Sequence, residues 1–248
     1  MWKNKNLVIL FLVSTLFYVA VNLPFEFGLI FFDMKSFQPA SSLPVVLGLF
    51  FGPAGVLGVG LGEFFIEIFA GLSFLAPFII MGKMLMALLA YRLWDKLLIK
   101  NDINLRIPKS DKRLFVYNLA VLILITSMAK SLVIGWGYLL VKSDIFYKSV
   151  LSIFANDIIG GLLLSVFALF IFLNRFRKWD MIWSDLINPG DVKNDSKFGV
   201  TIILSSILIF FFISIAFSYF GFDNVPIICG GLSIIGIFTG LFWKRNIS

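Results

Sequence analysis

Residues 40–72 read ASSLPVVLGLFFGPAGVLGVGLGEFFIEIFAGL. The stretch is apolar along its length, ionises only at Glu63 and Glu67, and is divided by Gly52-Pro53, a dipeptide that marks a turn. The division leaves 40–51, about 18 Å of helix at 1.5 Å per residue, and 54–72, which approaches the roughly 30 Å of a bilayer's hydrocarbon core. The longer piece is read as a full span. The shorter is read as a reduced span, or as a broken, tilted or re-entrant one. Gly48/Gly52 and Gly58/Gly62 have the small-xxx-small spacing that lets helix backbones approach closely in lipid.

The rest of the chain agrees with a membrane setting. Of 248 residues, 60% are hydrophobic and only 14% charged, against roughly 45–50% and 25% in soluble domains. Such a chain cannot cover a globular surface with polar groups. Further apolar runs at 7–23, 74–91, 114–141, 147–173, 200–220 and 225–243 bring the expected total to about eight spans. The fold class is therefore an all-α integral membrane protein, with a six-helix core in 1–178, a cytoplasmic connection in 179–198 and a C-terminal transmembrane hairpin in 199–248. The run 7–23 follows Lys3 and Lys5 as in a signal peptide, but no small-residue cleavage site follows it, so it is read as an uncleaved first helix.

Composition also bounds the chemistry. With no His and a single Cys, Cys229, the usual zinc, haem and iron–sulfur ligand sets are missing. So is any Ser-His or Cys-His catalytic arrangement. No glycine-rich loop ends in Lys-Ser/Thr ahead of a soluble helix, so no nucleotide-binding loop is expected. The expectation is a non-enzyme without metal or cofactor.

The formal charge of +7 reads as orientation rather than as a nucleic-acid footprint. Lys3, Lys5, the runs 92–113 and 175–197, and Lys244 and Arg245 hold most of the 21 Lys and Arg. Only Lys35, Lys142 and Lys148 fall in the intervening connections. By the positive-inside rule both termini and both long basic connections face the cytoplasm of a cell bearing the chain in its plasma membrane. The parity holds whether the 40–72 stretch crosses twice or forms a re-entrant hairpin.

Five ionisable side chains lie inside spans: Glu63, Glu67, Lys83, Lys130 and Asp157, the last beside Asn156. Each costs roughly 2.5–3.5 kcal/mol at the bilayer centre on insertion scales, so each needs a partner or a use. Glu63 and Glu67 share a helical face, and Lys83 and Lys130 are the cations available to them. By depth, all five fall between the midplane and the outer leaflet. Trp136 and Tyr138 sit near the same outer end, where aromatic residues commonly form an interfacial belt. Two readings stand side by side: helix-locking pairs, or a substrate-binding site formed by Glu63, Glu67, Lys83, Lys130, Trp136, Asn156 and Asp157.

Two segments carry a family resemblance. FQPASSLPVVLGLFFGPAGVLGVGLGEFFIEIFAG, residues 37–71, resembles the second and third helices of the substrate-binding S components of energy-coupling-factor vitamin transporters. SVLSIFANDIIGGLLLSVFALFIF, residues 149–172, is similar to their sixth helix, with Asn156, Gly160 and Gly161 carrying an Asn-x-Ile-Gly-Gly-like pattern. The resemblance covers about 1–178. It implies capture of a small vitamin-like molecule from outside, with the 24–39 connection as a lid. It also implies a transmembrane coupling subunit and cytoplasmic ATPases as partners. The family's first helix commonly offers Ala-x-x-x-Ala to the coupling subunit; here 11–20 offers Ser14, Thr15 and Ala20. Rival readings are a sensory or scaffold domain of signalling-input type, and an intramembrane lipid-modifying enzyme using Glu63 and Glu67 as an acid/base pair.

Overall fold

The computed structural model describes residues 5–26, 39–94, 112–142, 145–179, 181–183, 197–222 and 224–242. Among the described residues there is no strand. Seven helices are long and apolar enough to cross a membrane: α1 (Lys5–Glu26), α2 (Leu43–Ala70), α3 (Ala76–Leu93), α4 (Lys112–Lys142), α5 (Phe146–Lys178), α6 (Lys197–Tyr219) and α7 (Asn224–Phe242). A 3₁₀ turn, Pro39–Ser42, leads into α2. Most of the connection expected as a lid, residues 27–38, lies outside the described residues, as do 95–111 and 184–196 of the basic connections.

The two pieces expected at 40–51 and 54–72 form one helical run with a single interruption. Gly52 has φ 54° and ψ −130°, close to the first central position of a type II′ turn. Glycine reaches that region without steric penalty, and Pro53 begins the second arm with its φ already fixed. A Cβ on Gly55 would collide with the Leu47 carbonyl, although positions that far apart on a straight helix are separated by about 12 Å. The run therefore folds back on itself at Gly52. Every residue of the first arm, 43–51, is buried. A helix apolar on all sides belongs inside a bundle, and this arm occupies its interior.

Glycines set the neighbours of the second arm. A Cβ on Gly58 would lie 2.6 Å from Ser14 Cβ, and one on Gly62 would lie 2.7 Å from Tyr18 Cδ1, so α1 runs alongside the arm in the same direction. The arm ends at Gly71, whose φ of 99° gives a left-handed cap bonded back to Glu67 and Ile68. The short 71–75 turn then sends α3 back antiparallel, with Gly60 against Met84. Gly48 of the first arm packs on the Ala87 backbone of the same helix. Gly82 of α3 meets α4 at Ile134 and the Lys130 carbonyl, with virtual Cβ distances of 2.9 and 3.3 Å.

One end of the bundle closes with aromatic rings, at the end where the basic connections leave. Phe50 and Phe51 of the first arm stack around Phe176 at 5.2 and 5.5 Å. Trp94 meets Phe115 at 5.2 Å, and Tyr91 meets Trp183 at 5.6 Å. The Trp183 ring lies against Gly52 itself.

Helices α6 and α7 form a hairpin turned by Gly221, at φ 83°, with Gly236 against Ser206 and Gly240 against Ile203. They share the core of the other helices: Ile203, Ile207, Phe211 and Ile237 belong to the same buried cluster as the α1–α5 residues. Phe211 meets Phe154 of α5 at 5.1 Å, and the Tyr147 N–H donates to Ser218 Oγ at 3.3 Å.

Candidate functional site

The reversal at Gly52 and the short turn at 71–75 bring α1, both arms of α2 and α3 together. They position the first half of the charged layer. Lys83 Nζ of α3 lies 2.6 Å from Glu63 Oε1 of the second arm. On the other carboxylate oxygen, the Tyr18 hydroxyl of α1 donates to Glu63 Oε2 at 2.6 Å. The Tyr18 ring also presents its face to the Lys83 ammonium at 5.9 Å, a cation–π distance. Tyr18 is 0% exposed, Glu63 2% and Lys83 7%. Gly62 makes the arrangement sterically feasible, because a side chain there would occupy the place of the Tyr18 ring.

The second half lies where the first arm of α2 begins. Lys130 Nζ of α4 is 2.7 Å from Asp157 Oδ1 of α5 and donates to the Ser41 carbonyl at 3.1 Å. Lys130 and Asp157 are both buried. Gly161, one turn beyond Asp157, lets the Pro39–Ser42 turn pack directly on α5: a Cβ there would lie 3.1 Å from Ser42 Cβ. Asp157 Oδ2 and the hydroxyls of Ser41, Ser42 and Ser127 close no hydrogen bond among the described residues, although the Ser41 hydroxyl lies beside the Asp157 carboxylate. The two halves are linked through the α3–α4 contact at Gly82, and Lys130 lies within electrostatic reach of both Glu63 and Lys83.

Four of the sequence-predicted residues are thus brought together as two ion pairs: Glu63 with Lys83, and Lys130 with Asp157. Glu67 lies one turn beyond Glu63 and is half-buried, as is Asn156 beside Asp157. Trp136 is also half-buried. Its ring packs edge-on to Phe78 at 5.8 Å and against Gly230 of α7, while its Nε1 has no partner among the described residues. Ser14 and Thr15 are buried against α2 and their own helix, with Ser14 Oγ 3.5 Å from the Gly55 carbonyl and Thr15 Oγ1 donating to Phe11. They are committed inside the bundle; of the three small residues in 11–20, Ala20 is exposed.

Sequence reasoning missed Tyr18, Ser41 and Ser42. Tyr18 carries no charge and sits in an apolar span without pattern. The Ser41-Ser42-Leu43-Pro44 sequence carries a helix-start signal, serine ahead of an early-turn proline, and here that start is buried inside the bundle beside the Lys130–Asp157 pair.

Chemically, the layer offers two cations and two carboxylates in a medium of low dielectric, where a lone charge is strongly disfavoured and a polar ligand must exchange with groups already paired. Comparison of the chain with family models, with curated proteins and with solved structures returns no match.

Proposed function

We propose that the chain is a multi-pass substrate-capture subunit of a transporter, similar in role to the S components it resembles. It binds a small, water-soluble, vitamin-like molecule from the outer face, and separate cytoplasmic ATPases supply energy through a transmembrane coupling subunit. The observation that supports this reading is the charged layer. Glu63, Lys83, Lys130 and Asp157 are all buried, and beside them Asp157 Oδ2 and nearby serine hydroxyls lack partners among the described residues. A chain needing only apolar packing would not keep them at roughly 2.5–3.5 kcal/mol each.

Taking the reversal at Gly52 as the end of one pass, the chain crosses the plasma membrane eight times, six in a core spanning 1–178 and two in the 199–248 hairpin. Both basic connections and both termini then lie in the cytoplasm. The layer falls in the outer half, with Glu67, Asn156 and Trp136 at its margin, and the 24–39 connection is the proposed lid.

The test is a thermal-shift screen of the purified full chain against water-soluble vitamins and related metabolites, with co-purified proteins identified by mass spectrometry. The expected result is a saturable stabilisation by one compound. Asp157→Asn then weakens its binding by roughly 1.5–3 kcal/mol, the worth of a hydrogen bond to a charged group. Absence of both a ligand and an ATPase partner overturns the proposal.

A second reading has its own observation. Both pairs are closed, at 2.6 and 2.7 Å, with side chains 9% exposed or less. This favours helix locks in a sensory or scaffold domain. Under it Asp157→Asn changes stability alone and no small molecule stabilises the protein.

A further inference from the structure

The first arm of α2 begins inside the bundle, directly after the 3₁₀ turn Pro39–Ser42, and its start carries no side-chain cap. The first N–H groups of a helix have no partner within it, Pro44 offers none, and Ser42 at the cap position makes no side-chain capping bond. The positive end of the helix dipole therefore lies beside the Lys130 ammonium, which is 3.1 Å from the Ser41 carbonyl. Facing this corner is Asp157, 0% exposed, with the Ser41 hydroxyl beside its carboxylate and no closed hydrogen bond on Oδ2 among the described residues. The Ser42 hydroxyl, also 0% exposed and without a partner there, is held against α5 by Gly161, one turn from Asp157.

The corner is two-sided. A helix N-terminus and a lysine attract a carboxylate; a carboxylate oxygen and a hydroxyl attract an ammonium. Glu63, Lys83, Lys130 and Asp157 together carry no net formal charge. A ligand with a net charge would leave that charge uncompensated in a buried layer, which is costly, whereas a zwitterion adds only a dipole.

We propose that this corner binds a zwitterion of the α-amino-acid class. Its carboxylate sits on the first turn of the arm and Lys130, and its ammonium on Asp157 Oδ2 and the Ser42 hydroxyl. The ligand's two ends replace the Lys130–Asp157 contact charge for charge, so opening the pair strands neither ion. The inference rests on the capture reading and specifies its ligand class.

The test uses the purified full chain. The twenty common L-amino acids are each compared with their methyl ester and N-acetyl form by melting temperature. Water-soluble vitamins lacking an amino–carboxylate pair are run in parallel. The expected result is a saturable upward shift with one or a few amino acids, and binding weaker by about tenfold or more for both blocked forms. Asp157→Asn also weakens binding about tenfold or more. Ser42→Ala keeps the Cβ and both ion pairs, so it leaves the unliganded melting temperature unchanged while weakening binding severalfold. Silence of every amino acid, or equal binding of a blocked form, overturns the proposal. If a vitamin binds while the amino acids are silent, only the ligand class fails. If nothing binds, the capture reading fails with it.

Discussion

Replacing Lys83 by Met leaves Glu63 buried in the layer with the Tyr18 hydroxyl, at 2.6 Å, in place of two partners. The side chains are close in length, so packing changes little and the loss is electrostatic. Breaking a buried pair by removing one member costs roughly 3–5 kcal/mol, because the other charge remains. At about 2–4 °C per kcal/mol for a chain of this size, Lys83→Met lowers the melting temperature by roughly 6–20 °C. Glu63→Gln removes the carboxylate that pairs with the Lys83 ammonium, leaving it over the Tyr18 ring at 5.9 Å, and costs a similar amount. The double variant Glu63→Gln/Lys83→Met removes both charges and leaves the amide to accept from Tyr18. It recovers most of the loss, so the coupling is opposite in sign to the single changes and at least as large as either of them. Thermal unfolding in one detergent, followed by Trp fluorescence on all four proteins, measures this cycle. Additive effects, or single losses below about 1 kcal/mol, would refute the claim that Glu63 and Lys83 depend on each other.

Gly52→Ala places a Cβ at a left-handed φ of 54° and within 2.5–2.9 Å of the Trp183 ring; it destabilises by about 1–3 kcal/mol, and a melting temperature equal to the parent's would count against the tight reversal. Gly62→Ala pushes the Tyr18 ring from its place and is expected to lower stability together with the protection of Tyr18 from surface-labelling reagents. Single cysteines at Ser110 and Ser143, in a Cys229→Ala background, are expected to label from opposite sides of the membrane; labelling of both from outside contradicts the orientation. A chain ending at Lys197 loses the packing of Phe154 on Phe211 and of Trp136 on Gly230, so it melts lower. It keeps both ion pairs and the ligand affinity, because no residue of α6 or α7 belongs to either pair; lost affinity in a folded protein would show that the hairpin is part of the site.

The membrane character and the break at Gly52-Pro53 were legible because each rests on a local signal: composition over a window, and a dipeptide that cannot continue a helix unchanged. Depth arithmetic along α4 and α5 also put Lys130 and Asp157 in one layer, where they meet at 2.7 Å. Which of Glu63 and Glu67 would face Lys83 was not legible. Both lie on one face, and the choice follows from Gly62 admitting the Tyr18 ring beside Glu63, a contact between helices that no spacing within one helix encodes. The complete burial of the first arm of α2 escaped for the same reason. An all-apolar segment reads alike at the lipid surface and in the interior, and only the surrounding helices decide. The resemblance to vitamin-transporter S components rests on glycine patterns of this kind, which report close packing more directly than they report a ligand.

Pairing within the layer has an electrical consequence. A lone charge moved across a membrane does work of about 2.3 kcal/mol for every 100 mV, but Glu63 with Lys83, and Asp157 with Lys130, are each neutral as units. A rearrangement that shifts either pair along the membrane normal is therefore invisible to the voltage. A step that parts a pair along the normal, or turns it, exposes charge to the field, so a transient gating current would report the opening or turning of an ion pair rather than its translation as a unit.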